Sequence, residues 1–252
     1  RGVPMASPIL IPESALFSLR DRGFCVVDDF LDADLVQSLR AEALDSADSF
    51  RPHQWMFAGA KLPKPGVTEM DMHDPIAPMV LPNFNSFWHD RAPGIVRNIC
   101  ADIASVNSIP MDANSAIESF VSMKVQRNVG HGACFPLHHD NPGAPSKRWL
   151  TVVVYLNQDW EPAHGGEILF VPFGAVSEHV PPLYNRAVIF RSDIVLHGVL
   201  PNWKERICFT MWIDSQSVNS PGECNLTKAH LSSGPFHDGS VSGCVDFFRM
   251  SP

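Results

Sequence analysis

Apolar positions along this chain change their period near residue 118, and the change predicts two kinds of structure. Before it the spacing is mostly helical. Glu13 to Arg20 has helical character and stops just short of Gly23, a residue suited to a left-handed C-cap. Phe24-Cys25-Val26-Val27 is a short apolar run that predicts a strand. Asp32 is placed to cap a helix whose Leu35, Val36, Leu39 and Ala43 share one face. Ile95, Ile99 and Ile103, four apart, predict a helix from about Gly94 to Ser105. Residues 51–82 are rich in Pro, Gly, Met and His and keep no period. They read as a long loop with room for a hairpin, and as a candidate substrate lid, because long irregular segments in compact domains are often functional.

From residue 118 the period is two. Val121, Met123 and Val125 alternate with Ser122, Lys124 and Gln126, the pattern of a half-buried strand. Thr151 to Leu156, Ile168 to Val171, Ala187 to Phe190 and Ile207 to Ile213 predict further strands, separated by the turn-rich Gly165-Gly166, Pro172-Phe173-Gly174 and Pro181-Pro182. Short strands following helices predict a mainly β fold with N-terminal helices, a sandwich or barrel-like core buttressed by them. One domain is expected over 1–252: a helical lead-in (1–117) with the 51–82 loop, a strand-rich core (118–214), and a Ser/Gly-rich C-terminal extension (215–252). Phe236, Phe247 and Phe248 predict that part of this extension packs back on the body.

Composition removes several classes of function. The formal charge is −8 with no basic cluster, so a nucleic-acid partner is not expected. No window approaches eighteen consecutive apolar residues, so no membrane partner is expected either. The six cysteines contain no Cys-x-x-Cys pair. Cys25, Cys100 and Cys208 lie in apolar runs and read as buried, and pairing of Cys224 with Cys244 is left open. With no secretory layout at the N-terminus, a cytoplasmic or nuclear monomer is the expectation.

Candidate chemistry gathers at His138, Asp140, His197 and Arg206. Residues two apart in an extended segment share a face, so the His138 imidazole and the Asp140 carboxylate lie side by side while His139 points away. His197 follows much later, and Arg206 nine residues after it. Two histidines and one carboxylate make the facial triad of non-haem Fe(II) oxygenases. An arginine fork matches the far carboxylate of a 2-oxo acid. A lone His-x-Asp carries little weight; the ordered set carries much, and it points to an Fe(II)- and 2-oxoglutarate-dependent oxygenase.

Several segments carry a resemblance beyond these four residues. They are His138-His139-Asp140-Asn141-Pro142, Tyr155-Leu156-Asn157-Gln158-Asp159-Trp160, Gly165-Gly166-Glu167, Phe190-Arg191-Ser192-Asp193, and His197 through Arg206 to Trp212. Together they resemble the prolyl-4-hydroxylase-like branch of the 2-oxoglutarate oxygenases, hypoxia-sensing prolyl hydroxylases included, over roughly Phe120 to Asp214. The resemblance implies a double-stranded β-helix, or jelly roll. It implies that His138, Asp140 and His197 bind Fe(II), and that Arg206, helped by Tyr155 and with Trp212 in the same pocket, holds 2-oxoglutarate. Thr210 shares a strand face with Arg206 and Trp212 and is placed to line that pocket. The implied reaction consumes 2-oxoglutarate and O2, with ascorbate as an auxiliary reductant, releases succinate and CO2, and hydroxylates a C–H centre. The first expectation for that centre is a prolyl residue of a protein or peptide. The likeness departs at Asn128, where close relatives carry a tyrosine, and over 130–136 and 51–82. Asp140 argues against halogenation, since related halogenases have a small residue there.

Blander readings compete. His139 is expected in a supporting or exposed position, His131, His164, His179 and His53 as exposed loop residues, and His73 as a loop cap. Tyr155 follows Val152-Val153-Val154 and Trp212 lies in an apolar strand, so core packing competes with co-substrate binding at both. Gly165-Gly166 reads as a hairpin turn, and Lys147 and Arg148 as solvated. Rival functions are a hydroxylase of a free amino acid or small metabolite, a non-catalytic metal- and 2-oxoglutarate-binding module, and a zinc hydrolase, which gives no reason for Arg206.

Overall fold

Five α-helices and eleven strands occupy the residues described by the computed structural model, 11–57, 60–107, 120–141, 146–172 and 176–215. In order they are α1 (Glu13–Arg22), β1 (Phe24–Val27), α2 (Ala33–Asp45), β2 (Arg51–Phe57), β3 (Ala60–Asp71), the short α3 (Ala77–Val80) and α4 (Pro82–Ser86), and α5 (Ala92–Asn107). Then come β4 (Phe120–Asn128), β5 (Ala133–His138), β6 (Arg148–Tyr155), β7 (Ile168–Val171), β8 (Glu178–Val180), β9 (Ala187–Arg191), β10 (Leu196–Asn202) and β11 (Arg206–Asp214). The strands form a seven-stranded sheet, β1-β9-β6-β11-β4-β3-β2, and a four-stranded sheet, β5-β10-β7-β8. All pairings between these strands are antiparallel. This is the double-stranded β-helix that the resemblance implied, buttressed by helices.

The alternation of side chains in β6 and β11 explains where the core and the site lie. Leu150, Val152 and Val154 of β6 and Ile207, Phe209, Met211 and Ile213 of β11 face the helices in the larger apolar core. The intervening Val153, Tyr155 and Cys208 face the space between the two sheets, with Phe170, Val188 and Phe190. Both faces of the central strands are therefore buried, which is why the 151–156 run is almost continuously apolar. Phe209 is fully buried between Phe84, at 5.6 Å between ring centroids, and Phe87, at 5.4 Å, both edge-on. The buried Glu42 of α2 accepts the backbone N–H groups of Asn83 at 2.7 Å and Phe84 at 2.9 Å, tying α4 to α2.

Gly23 ends α1 as expected: its φ is +81°, its N–H bonds Leu19 O at 3.0 Å, and an added Cβ would stand 2.6 Å from Val195. Asp32 does sit at the N-cap position of α2, but its carboxylate makes no capping bond there and instead accepts from Arg91 at 3.1 Å.

The 51–82 segment differs most from expectation. The hairpin for which it had room fills most of it: β2 pairs with β3, Val67–Asp71 of β3 pair in turn with β4, and the rest carries α3 and the start of α4. Pro52, Pro63, Pro65 and Gly66 break the period-two signal, and the register slips between Pro52 and Gln54. The sheet is accordingly not confined to 118–214, because β1, β2 and β3 belong to it. Residues 216–252, with Cys224, Cys244, Phe236, Phe247 and Phe248, lie outside the described residues.

Candidate active site

Register brings the two histidines together. His138 at the end of β5 is the direct cross-strand partner of His197 on β10, and their ring centroids are 4.3 Å apart. Asp140, two residues past His138, turns its carboxylate back between them. Asp140 Oδ1 lies 3.3 Å from His138 Nε2 and 3.7 Å from His197 Nε2. One ligand atom from each residue falls within 4.8 Å of the others. This donor set was chosen from the sequence, and the fold assembles it.

The second nitrogen of each ring fixes which atom is free. His138 Nδ1 is 2.8 Å from Pro136 O, and His197 Nδ1 is 3.2 Å from Val195 O. A carbonyl accepts only, so Nδ1 carries the proton in both and Nε2 presents its lone pair to the cavity. Burial pushes His197 down to about 4, against the pull of the Asp140 charge, so its imidazole is neutral and able to ligate. Burial works to raise Asp140, but hydrogen bonding and charge from His138, the charge of His197 and the Thr151 bond hold it well below the usual carboxylate range. Burial works to lower His138, but the hydrogen bond and charge of Asp140 outweigh it and raise it, so a metal bound there takes the place of a proton on Nε2. Two imidazole nitrogens and an ionised oxygen suit a divalent transition metal.

Beyond the triad lies a cavity of about 370 Å³. Arg206 is buried in its wall. Its Nε donates to Gly166 O at 2.9 Å, its Nη1 approaches Cys208 Sγ at 3.5 Å, and its Cζ stands 5.0 Å above the Tyr155 ring. Among the described residues no carboxylate pairs with it. A buried guanidinium without a counter-charge is costly, and it marks where an anion belongs. Among the described residues the buried Tyr155 hydroxyl has no hydrogen-bond partner either. Burial pushes it up to about 12 despite Arg206, so it stays protonated and can donate. Thr210 and Trp212 line the same cavity, as expected from the shared face of β11. The Trp212 indole N–H, however, reaches Asp140 Oδ2 at 3.0 Å.

Some readings need correction. His53 is not an exposed loop residue: its Nδ1 lies 2.7 Å from Glu69 Oε2, Lys124 Nζ donates to Glu69 Oε1 at 2.9 Å, and all three line the cavity. His164 pairs with Glu161 in a capping box. Gly165-Gly166 is not a hairpin turn, since it connects β6 and β7 of different sheets. Arg148 is not simply solvated; it donates to Asp140 O at 3.2 Å and covers the Trp212 ring at 4.6 Å. His139 stays outside the ligand set, and the backbone N–H of His73 donates to Asp71 at 2.9 Å, the loop cap expected there.

Thr151 and Lys64 escaped the sequence reading, and so did the bond that Gly166 O accepts from Arg206. Thr151 had a visible signal, a hydroxyl residue two and four positions from Val153 and Tyr155 on one strand face. Lys64, with its ammonium 3.3 Å from the centroid of the Phe135 ring, had none, because its strand was hidden among prolines.

Comparison with known proteins bears on this arrangement. The family model of the 2OG-Fe(II) oxygenase superfamily matches residues 123–214. A solved prolyl 4-hydroxylase structure from Phytophthora capsici is similar with a TM-score of 0.67 and 30% identity, over 96% of this chain and 74% of that one. The hypoxia-inducible factor prolyl hydroxylase of Caenorhabditis elegans is 26% identical over 224 residues, which is 82% of this chain and 28% of that protein. This chain therefore spans well under half of that curated relative. A prolyl hydroxylase from Trichoplax adhaerens, solved with a hypoxia-inducible factor peptide, shares the fold at a TM-score of 0.56 and 19% identity, over 79% of this chain and 87% of that one.

Proposed function

Because this chain belongs to the prolyl-4-hydroxylase-like family of 2-oxoglutarate- and Fe(II)-dependent oxygenases, we propose that it hydroxylates a prolyl residue of a protein or peptide. The observation that carries the reading is the buried Arg206, which no carboxylate among the described residues neutralises, in one cavity with the His138, Asp140 and His197 donors and with the Tyr155 ring beside it. A dicarboxylic co-substrate answers that charge: its far carboxylate takes the two-point guanidinium fork and the phenol hydrogen bond.

Within that reading each group has a defined task. His138, Asp140 and His197 would hold Fe(II) at the wall of the cavity that would take 2-oxoglutarate and O2. Bound iron supplies the oxidising chemistry, in which 2-oxoglutarate loses CO2 to become succinate and one oxygen atom enters a substrate C–H bond. The protein binds, orients and excludes water. Val153, Ile168, Phe190 and Val199 make the inner wall apolar, while His53, Glu69, Lys124 and Gln126 make the wall built by β2, β3 and β4 polar. A polar wall suits a hydrated peptide backbone, and a relative of this fold is known with a peptide bound.

The test has two stages. Anaerobic addition of Fe(II) and then 2-oxoglutarate is expected to give a weak visible charge-transfer band, absent in His197→Ala and needing far more co-substrate in Arg206→Ala. Proline-containing peptides and free L-proline are then offered under air, with succinate and the mass gain of one oxygen atom as readouts. Hydroxylated peptide supports the proposal. Product from the free amino acid alone moves the function to small metabolites, and no band from metal-loaded protein removes the oxygenase reading.

A further inference from the structure

Asp140 is held by more than its two histidine neighbours. Thr151 Oγ1 donates to Asp140 Oδ2 at 2.6 Å, and Trp212 Nε1 donates to the same oxygen at 3.0 Å. Thr151 and Trp212 are direct cross-strand partners on β6 and β11, so one pair of facing residues delivers both donors. Behind them Ser192 Oγ lies 2.8 Å from Thr151 Oγ1. Thr151 gives its proton to the carboxylate, so Ser192 must donate to Thr151. Thr151 and Ser192 are fully buried, so the bond between them is shielded from solvent. The Arg148 guanidinium covers the Trp212 ring and binds the Asp140 carbonyl, which fixes the indole and the backbone together.

These contacts treat the two carboxylate oxygens differently. Oδ2 accepts two hydrogen bonds from the seven-stranded sheet, while Oδ1 alone faces His138 and His197. A carboxylate binds a divalent ion through one oxygen or through both, and the second mode takes an extra coordination position. We propose that Thr151 and Trp212 are positioning residues that restrict Asp140 to one-oxygen ligation, and so keep that position open for co-substrate or O2. The inference rests on the reading of Asp140 as an iron ligand. Ser192 sets the direction of the relay, and Arg148 sets the plane of the indole.

The test compares wild type with Trp212→Phe, Thr151→Val, the double variant and Thr151→Ser, each loaded with Co(II) in place of the oxygen-sensitive Fe(II). Titration of Co(II) is expected to show about 10- to 100-fold weaker binding in the double variant, the usual range for lost support behind a metal ligand. Thr151→Ser, which keeps the hydroxyl, is expected to stay close to wild type. Crystal structures of the loaded proteins decide the geometry, with one Asp140 oxygen on the metal in wild type and both in the double variant. Where the double variant does not fold, Trp212→Phe alone serves, since it keeps the ring and loses only the N–H. Two-oxygen ligation in wild type, or one-oxygen ligation retained without both donors, overturns the proposal and leaves the triad intact. Unchanged Co(II) affinity in His197→Ala instead removes the metal site itself.

Discussion

Alanine at Gly166 tests how the fold holds Arg206. Gly166 has a φ of +79°, and an added Cβ would stand 2.9 Å from Asn202 Cβ and 3.0 Å from Arg206 Cδ. A left-handed backbone costs an L residue about 1–2 kcal/mol, and an extra methyl forced into a packed site about 1–3 kcal/mol more. At about 2–4 °C per kcal/mol for a chain of this size, Gly166→Ala lowers Tm by roughly 4–20 °C. Gly132→Ala supplies the control. Its φ is +82°, but its nearest contact is the Trp203 ring at 3.5 Å, so only the backbone cost applies and Tm falls by roughly 2–8 °C. The functional effect separates the two variants more sharply. Displacing Arg206 strains its bond to Gly166 O, and hydrogen bonds to charged groups are worth about 1.5–3 kcal/mol, or roughly 10- to 100-fold in binding. Thermal melts followed by anaerobic 2-oxoglutarate titrations of the Fe(II) protein make the comparison. If Gly166→Ala binds the co-substrate within a factor of about three of wild type while Gly132→Ala behaves the same, the backbone does not set the position of the guanidinium and this reasoning fails.

Other consequences are open to simple assays. Tyr155→Phe removes a buried hydroxyl with no partner among the described residues, so Tm is expected to hold or rise while 2-oxoglutarate affinity falls by about 10- to 100-fold; a loss of stability with intact affinity argues for a packing role alone. Phe209→Ala empties the contact with Phe84 and Phe87 and is expected to destabilise by about 3–5 kcal/mol in denaturant titrations, and a loss below about 1 kcal/mol contradicts the packing described. Burial works to raise the Glu69 carboxyl, but the His53 hydrogen bond and the Lys124 charge outweigh it and hold it below its ordinary 4.5. A lowered folded-state value stabilises fully above 4.5 and is lost as pH falls through that lower value. Glu69→Gln should therefore melt below wild type near neutral pH and converge with it in acid, whereas a constant gap at every pH excludes the ionic contribution.

The sequence made the centre of this molecule legible and its flank obscure, for physical reasons. Residues such as Val152, Val154, Phe209 and Met211 must alternate because a strand has two faces, so β6 and β11 could be read without neighbours. His138, Asp140, His197 and Arg206 stood out because few folds need that donor set. The β2–β3 hairpin was only allowed for, without bounds or partner, because Pro52, Pro63 and Pro65 give the composition of a loop while pairing with β4 supplies what local propensity lacks. Hydrogen-bond direction was equally hidden. Nothing in the spacing of Trp212 shows that its indole N–H turns toward Asp140, because that depends on which strand lies beside β11.

The two sheets divide the labour of the site. The imidazoles of His138 and His197 are carried by β5 and β10 of the smaller sheet, and Arg206, Tyr155 and Thr210 by the larger. On the proposed function, metal preference and co-acid preference are thus separate dials, each adjustable by substitutions on its own layer. Changes on opposite layers should combine additively where they share no partner. At Thr151 and Trp212, where the larger sheet grips the Asp140 carboxylate that follows β5, the dials are geared together. A lineage drifting toward another oxo acid or another metal has free play nearly everywhere except across that seam.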